Sequence, residues 1–113
     1  MASLGPAPPF LALDLGTSLG WATIVADRIT ASGRLDLSQS PGAHPGARYL
    51  MLARWLRQRD WPPDMVVALE DVRSHMARAK DGTRHFPVLA AHVYGGLRAV
   101  VEAWACATDR PVM

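Results

Sequence analysis

The sequence predicts a single mixed α/β domain, and three observations carry that prediction. Three strand-like segments lie close together near the start, two helix-like segments follow, and a wholly apolar run of five residues stands between those helices. Spacers of a few residues join antiparallel strands, whereas a parallel strand needs a long crossover such as a helix. Hairpins followed by helix crossovers therefore build a sheet with both strand directions. A chain of 113 residues matches the commonest domain size.

The opening MASLGPAPP, residues 1–9, is rich in proline and is expected to be a flexible leader to one domain over residues 10–113. Phe10–Asp14, FLALD, is a compact apolar run closed by a carboxylate. A second run, Trp21–Ala26, lies beyond Gly16 and Gly20, and Asp27-Arg28 makes a tight connection into ITASGRLDL, whose alternation is imperfect. Such short spacers make the three strands antiparallel neighbours. SQSPGAHPG is a loop by composition. From Ala47 to Arg59, Leu52, Trp55 and Leu56 share a face while Arg48, Arg54, Arg57 and Gln58 lie elsewhere, the pattern of an amphipathic helix.

DWPPD stops that helix, because consecutive prolines cannot continue one. MVVAL, Met65–Leu69, has no polar alternation and reads as a strand covered on both faces, the habit of a central parallel strand. The stretch Asp71–Phe86 is the most basic of the chain and shows no period. Pro87 opens a second helix with Leu89, Val93, Leu97, Val100 and Trp104 at near-helical spacing. DRPVM reads as the first residues of a further strand.

Composition bounds the function. Half the residues are apolar and 19% are charged, an ordinary globular balance. The lone Cys106 excludes an internal disulfide, no Cys/His cluster points to zinc, and a reducing cytoplasm is the expected compartment. The N-terminus lacks the basic start and apolar centre of a signal peptide. Val88–Ala107 approaches membrane-spanning length, but His92, Arg98 and Glu102 interrupt it, so no membrane association is expected. A net charge of +2 permits a nucleic-acid partner without requiring one.

Two carboxylates carry the candidate chemistry. Asp14 closes the first strand and Glu70 closes the apolar one, in VVALED. If those strands are parallel neighbours, both side chains emerge at the carboxyl edge of the sheet, where open α/β sheets bind ligands. Two adjacent carboxylates repel until one takes a proton or a cation sits between them, and all-oxygen ligands favour Mg²⁺ or Mn²⁺. The alternative for Asp14 is to cap the turn that follows, for which Gly16 and Thr17 offer backbone donors and close approach. Burying a charge at the end of an apolar strand has no packing benefit, so Glu70 is harder to explain that way. His92 reads as a packed or interface residue. Gly95-Gly96 costs helix stability, about 1 kcal/mol per residue, which close approach by the sheet or a second protomer would offset.

The segments LALDLGTSLGWATI, VVALEDV and HMARAKDGTRHFPVLAAHVYGGLRAVVEAWA together resemble the RuvC-type Holliday junction resolvases, especially their phage-related branch, over roughly residues 10–112. The resemblance implies an RNase H-like fold and a dimeric, divalent-metal-dependent endonuclease of branched DNA. In it Asp14 and Glu70 match catalytic, metal-holding carboxylates, and Arg73, Arg78, Lys80 and Arg84 would hold DNA phosphates. His92, Gly95 and Gly96 would serve the dimer or close packing. Family members continue into another strand and a last helix with further acidic ligands, and the sequence here stops at Met113. A catalytically incomplete DNA-binding relative, or a fragment completed by a companion chain, is therefore a second reading. The DLGTS turn also looks like the phosphate-binding turn of sugar kinases, actin and heat-shock ATPases, but those need two domains around the nucleotide.

Overall fold

The computed structural model describes residues 7–70, 77–78, 84–85 and 88–113, and gives no side-chain account of residues 77–78, 84–85 and 88–89. Strands β1 (Phe10–Asp14), β2 (Ser18–Val25) and β3 (Arg28–Asp36) come first, then helix α1 (Ala47–Gln58) and strand β4 (Val66–Leu69). Two-residue strands β5 (Ala77–Arg78) and β6 (Arg84–His85) pair with each other, and helix α2 (Val88–Ala107) follows. The main sheet has the order β3-β2-β1-β4, with β1 parallel to β4 and the other pairs antiparallel. The mixed sheet and its helix crossover are those expected from the sequence.

Details differ where local chemistry decides. β2 begins at Ser18, so Gly20 lies inside the strand and only Asp14 to Ser18 makes the turn. The β2–β3 turn is Ala26-Asp27, both with positive φ (51° and 62°), the two-residue geometry whose twist matches the flanking strands. An extra residue near Thr30 shifts the β2–β3 register after Thr23↔Ala31 to Ile24↔Ile29, a bulge stitched by the Thr23 and Thr30 hydroxyls 2.8 Å apart.

Strands β1, β2 and β4 give one face to the helices, while β3 is exposed along almost its whole length. Leu11, Leu13, Leu19 and Val67 are fully or almost fully buried against Leu52 and Leu56 of α1 and Leu97, Val101 and Ala105 of α2. The alternate residues, Ala12, Gly20, Ala22 and Ala68, stay half-buried on the opposite face. Along the edge of the core the four tryptophans form a chain. Ring centroids are 5.6 Å apart for Trp21–Trp55, 5.5 Å for Trp55–Trp61 and 6.4 Å for Trp61–Trp104, all tilted or edge-on. The Arg59 guanidinium lies 4.7 Å from the Trp21 ring centroid and 5.0 Å from that of Trp55.

The helix ends are made by identifiable contacts. The Trp61 indole N–H donates to the Leu56 carbonyl at 2.8 Å, satisfying a group the end of α1 would otherwise leave open. α2 ends on Asp109 in the left-handed region, with Arg110 N–H donating to Ala105 and Asp109 N–H to Cys106. That reversal delivers residues 111–113 alongside β4: Val67 N–H donates to Pro111 at 2.9 Å and Met113 N–H to Val67 at 2.8 Å. DRPVM thus starts a further parallel strand, as expected. Among the described residues no helix is long and apolar enough to cross a membrane.

The adjacent glycines of α2 have different surroundings. A Cβ on Gly96 would overlap the ring of Tyr49 on α1, so the close approach expected there is made within the chain, by an aromatic side chain. Gly95 faces open space. Gly95→Ala should therefore raise unfolding stability by about 1 kcal/mol through helix propensity alone. Gly96→Ala should lower it despite the same propensity gain, because Tyr49 must leave its seat. Urea denaturation of the two variants measures the contrast, and equal shifts would contradict it.

Candidate functional site at the carboxyl edge of the sheet

The site is built from the register of two parallel strands. Leu13 pairs with Leu69, and Glu70 N–H donates to the Leu13 carbonyl at 3.1 Å. Asp14 and Glu70 are the next residues along, on strands spaced by about 4.8 Å. Both line one open groove of about 460 Å³. Asp14 and Glu70 therefore lie at the same rim of the sheet and face one groove. Glu70 is exposed, whereas one carboxylate oxygen of Asp14, Oδ1, is withdrawn from solvent.

The floor of the groove is paved with the small residues of the helix-free face, Ala12, Gly20, Ala22 and Ala68. Gly20 is the β2 partner of Asp14, and a Cβ there would stand 3.7 Å from the Asp14 Cβ. One strand further out, Arg34 is the partner of Gly20 and also lines the groove. A single row across the sheet thus reads Glu70, Asp14, Gly20, Arg34. Arg34 Nη1 donates to the Ser18 hydroxyl at 3.3 Å. Asp36, two residues on, is occupied by Ser38, whose hydroxyl and backbone N–H hold its carboxyl below the usual range.

Gly16 and Thr17 form the turn after Asp14. A Cβ on Gly16 would meet nothing, and the Thr17 carbonyl accepts the Leu37 N–H at 2.6 Å, tying the turn to the end of β3. From the other side, the Tyr94 hydroxyl donates to the Glu70 carbonyl at 3.4 Å, and Arg98 donates to the same hydroxyl at 3.2 Å. Arg98 is itself paired with Glu102 at 2.6 Å. α2 thereby touches the backbone that carries Glu70.

Of the remaining expected site residues, none with described side chains lines the groove. His92 and Gly95 are exposed on α2. Arg73 and Lys80 lie outside the described residues, and Arg78 and Arg84 are described only as backbone partners of the β5–β6 pair. Among the described residues no group of three or more His, Cys, Asp or Glu side chains converges. Two carboxylates in an open, all-oxygen groove nevertheless suit a hard divalent cation, which commonly takes one or two carboxylates and keeps several waters.

The sequence reading missed Arg34 and Tyr94. Tyr94 stood in the quoted AAHVYGG without a role. Arg34 reaches the row only through the β2–β3 register, which the bulge at Thr30 shifts by one residue and which alternation alone does not reveal.

No protein-family model matches the chain, and no curated protein matches it either. Its architecture is nonetheless well represented among solved structures. The fold is an RNase H-like α/β fold, and within that class it is RuvC-like. Thermus thermophilus RuvC in complex with a Holliday junction substrate aligns with a TM-score of 0.61 at 16% identity, over 94% of this chain and 62% of that one. A second T. thermophilus RuvC structure aligns with a TM-score of 0.58 at 16% identity, over 92% of this chain and 61% of the other. The chain thus spans about three fifths of the RuvC length.

Proposed function

We propose that this domain is a divalent-metal-dependent endonuclease of the Holliday junction resolvase type, acting on branched DNA. The observation that carries the reading is the Asp14–Glu70 pair at the carboxyl edge of the β1–β4 parallel pair, on a RuvC-like fold. Asp14 and Glu70 are the residues that would hold Mg²⁺ or Mn²⁺, which supplies charge stabilisation of the phosphoryl group and a water nucleophile at neutral pH.

The chain's own residues supply position and shape. The β1–β4 register sets both carboxylates at the same rim, where a cation between them would offset their mutual repulsion. Partial burial of Asp14 strengthens its pull on a cation, because water screens it less. The alanine and glycine floor lets a phosphodiester lie close to the backbone where any longer side chain would stand in its way. Arg73, Arg78, Lys80 and Arg84, in the basic stretch after β4, are assigned to the flanking DNA phosphates and would add salt-dependent affinity. The lone thiol Cys106 suits a reducing compartment, and the cytoplasm is part of the same proposal.

A homodimer through α2 belongs to this reading. Ala91, Gly95, Ala99 and Ala103 recur every fourth residue on its exposed side, with His92 beside them. Such a row permits the close helix crossing in which ridges four residues apart interdigitate. A second functional reading follows from the family's further acidic ligands, which the resemblance does not match to residues of this chain. In that reading the domain binds junctions and another polypeptide completes the metal site.

The wild-type protein should cleave a four-way DNA junction in Mg²⁺ or Mn²⁺, and Asp14→Asn or Glu70→Gln should slow cleavage by at least about 100-fold. Junction binding with no cleavage at any metal concentration would select the second reading, and full activity in either variant would reject both carboxylates as ligands. Calorimetric titration with Mn²⁺ should show binding weakened at least about tenfold by either substitution. Gly95→Leu should reduce self-association in sedimentation equilibrium without unfolding the chain, since nothing within the protomer occupies that space.

A further inference from the structure

The row that carries the two carboxylates does not end with them. Crossing the sheet from Asp14, the next position is Gly20, which has no side chain, and the next is Arg34. β1 and β3 are two strand spacings apart, about 10 Å. That span is bridged by an arginine side chain and one tetrahedral anion, and Gly20 leaves the space between them unfilled. The floor on one side of the row is Ala12 and Ala22, so among the described residues only small side chains line that approach.

Arg34 is also electrostatically available. Its side-chain hydrogen bond among the described residues is to the neutral Ser18 hydroxyl, at 3.3 Å, which leaves most of the five guanidinium N–H groups for a ligand. The acid nearest on its own strand face, Asp36, is held by Ser38. An arginine neutralised by a fixed acid would be a hairpin brace. An arginine with only a long, neutral contact, facing a carboxylate pair across a glycine, is a place where an anion is held at two points.

We propose that Arg34, across Gly20 from Asp14 and Glu70, is the seat of a phosphodiester: one phosphate oxygen faces the cation-holding carboxylates and another accepts the guanidinium. The assignment rests on the nuclease reading for its substrate and adds to it a phosphate-binding residue on β3. It also gives Gly20 a function, as the position whose emptiness lets the phosphate sit between opposite charges. Guanidinium is suited to this because it stays charged and offers several N–H donors in a fixed plane to the phosphate oxygen that it faces.

The test compares Arg34→Ala, Arg34→Lys and Ser18→Ala in the full chain. With Ca²⁺ present, titration with the tetranucleotide dT4 should shift the Arg34 side-chain N–H and Gly20 amide resonances, and inorganic phosphate at equal concentration should shift them less. Arg34→Ala should weaken junction binding about tenfold and lower the slope of log affinity against log salt by about 1. Arg34→Lys should recover the slope but only part of the cleavage rate, while Ser18→Ala should stay within about twofold of wild type in both. Equal losses in Ser18→Ala and Arg34→Ala, with the dT4 shifts absent, would make Arg34 a brace of the hairpin and overturn the seat. Wild-type cleavage that Arg34→Ala leaves unchanged, with an unchanged salt slope, would overturn the seat and spare the nuclease reading. The dT4 shifts in a wild-type protein that never cleaves would keep the seat and remove the nuclease reading.

Discussion

One hydrogen-bonded register governs this molecule: the parallel pairing of FLALD with VVAL, in which Glu70 N–H reaches the Leu13 carbonyl. Because side chains alternate along a strand, a slip of one residue would send Glu70 to the helix side and leave Asp14 alone on the other. The same slip would turn Val67 out of the core. Site geometry and core packing are therefore specified together, and the burial of Leu11, Leu13 and Val67 is what holds the two carboxylates in line. The helix crossover between these strands is a consequence of the same pairing, since parallel neighbours cannot be joined by a hairpin.

The two faces of the sheet divide the labour. The helix side is filled by large aliphatic residues, most of them without solvent contact, and truncating any one of them costs stability in the range of about 2–5 kcal/mol. The opposite side is paved with alanine and glycine, which contribute little burial and leave room. A groove for a ligand that lies against backbone needs such a surface. The stabilising residues and the ligand-facing residues alternate along the same five-residue strand.

Much of this was legible in the sequence, and the parts that were not have physical reasons. The hairpins followed from short spacers, the parallel strand from the apolar run MVVAL, and the carboxylate pair from two acids each closing a strand. MVVAL was expected to be covered on both faces, but only the Val67 side is, and Ala68 lines the open groove. The first helix was readable from Leu52 and Leu56, which are indeed buried. The place of Arg34 was not readable, because a single inserted residue near Thr30 moves the register and leaves no mark in composition. Gly96 looked like a site for another backbone, yet its neighbour is the ring of Tyr49, 47 positions earlier in the chain and invisible to local pattern. The tryptophans illustrate the same limit, since Trp21, Trp55, Trp61 and Trp104 come from four separate segments and only the fold makes them neighbours.

That row of indoles has an optical consequence. Excitation absorbed by any of the four can migrate along contacts of 5.5 to 6.4 Å, so ultraviolet emission and near-ultraviolet dichroism report the seam between the sheet and both helices as a single chromophore assembly. Trp21 belongs to this assembly and also borders the groove beside Asp14. The indole array thus reports on the helix side of the sheet, one strand thickness from the carboxylate rim, without any label being attached.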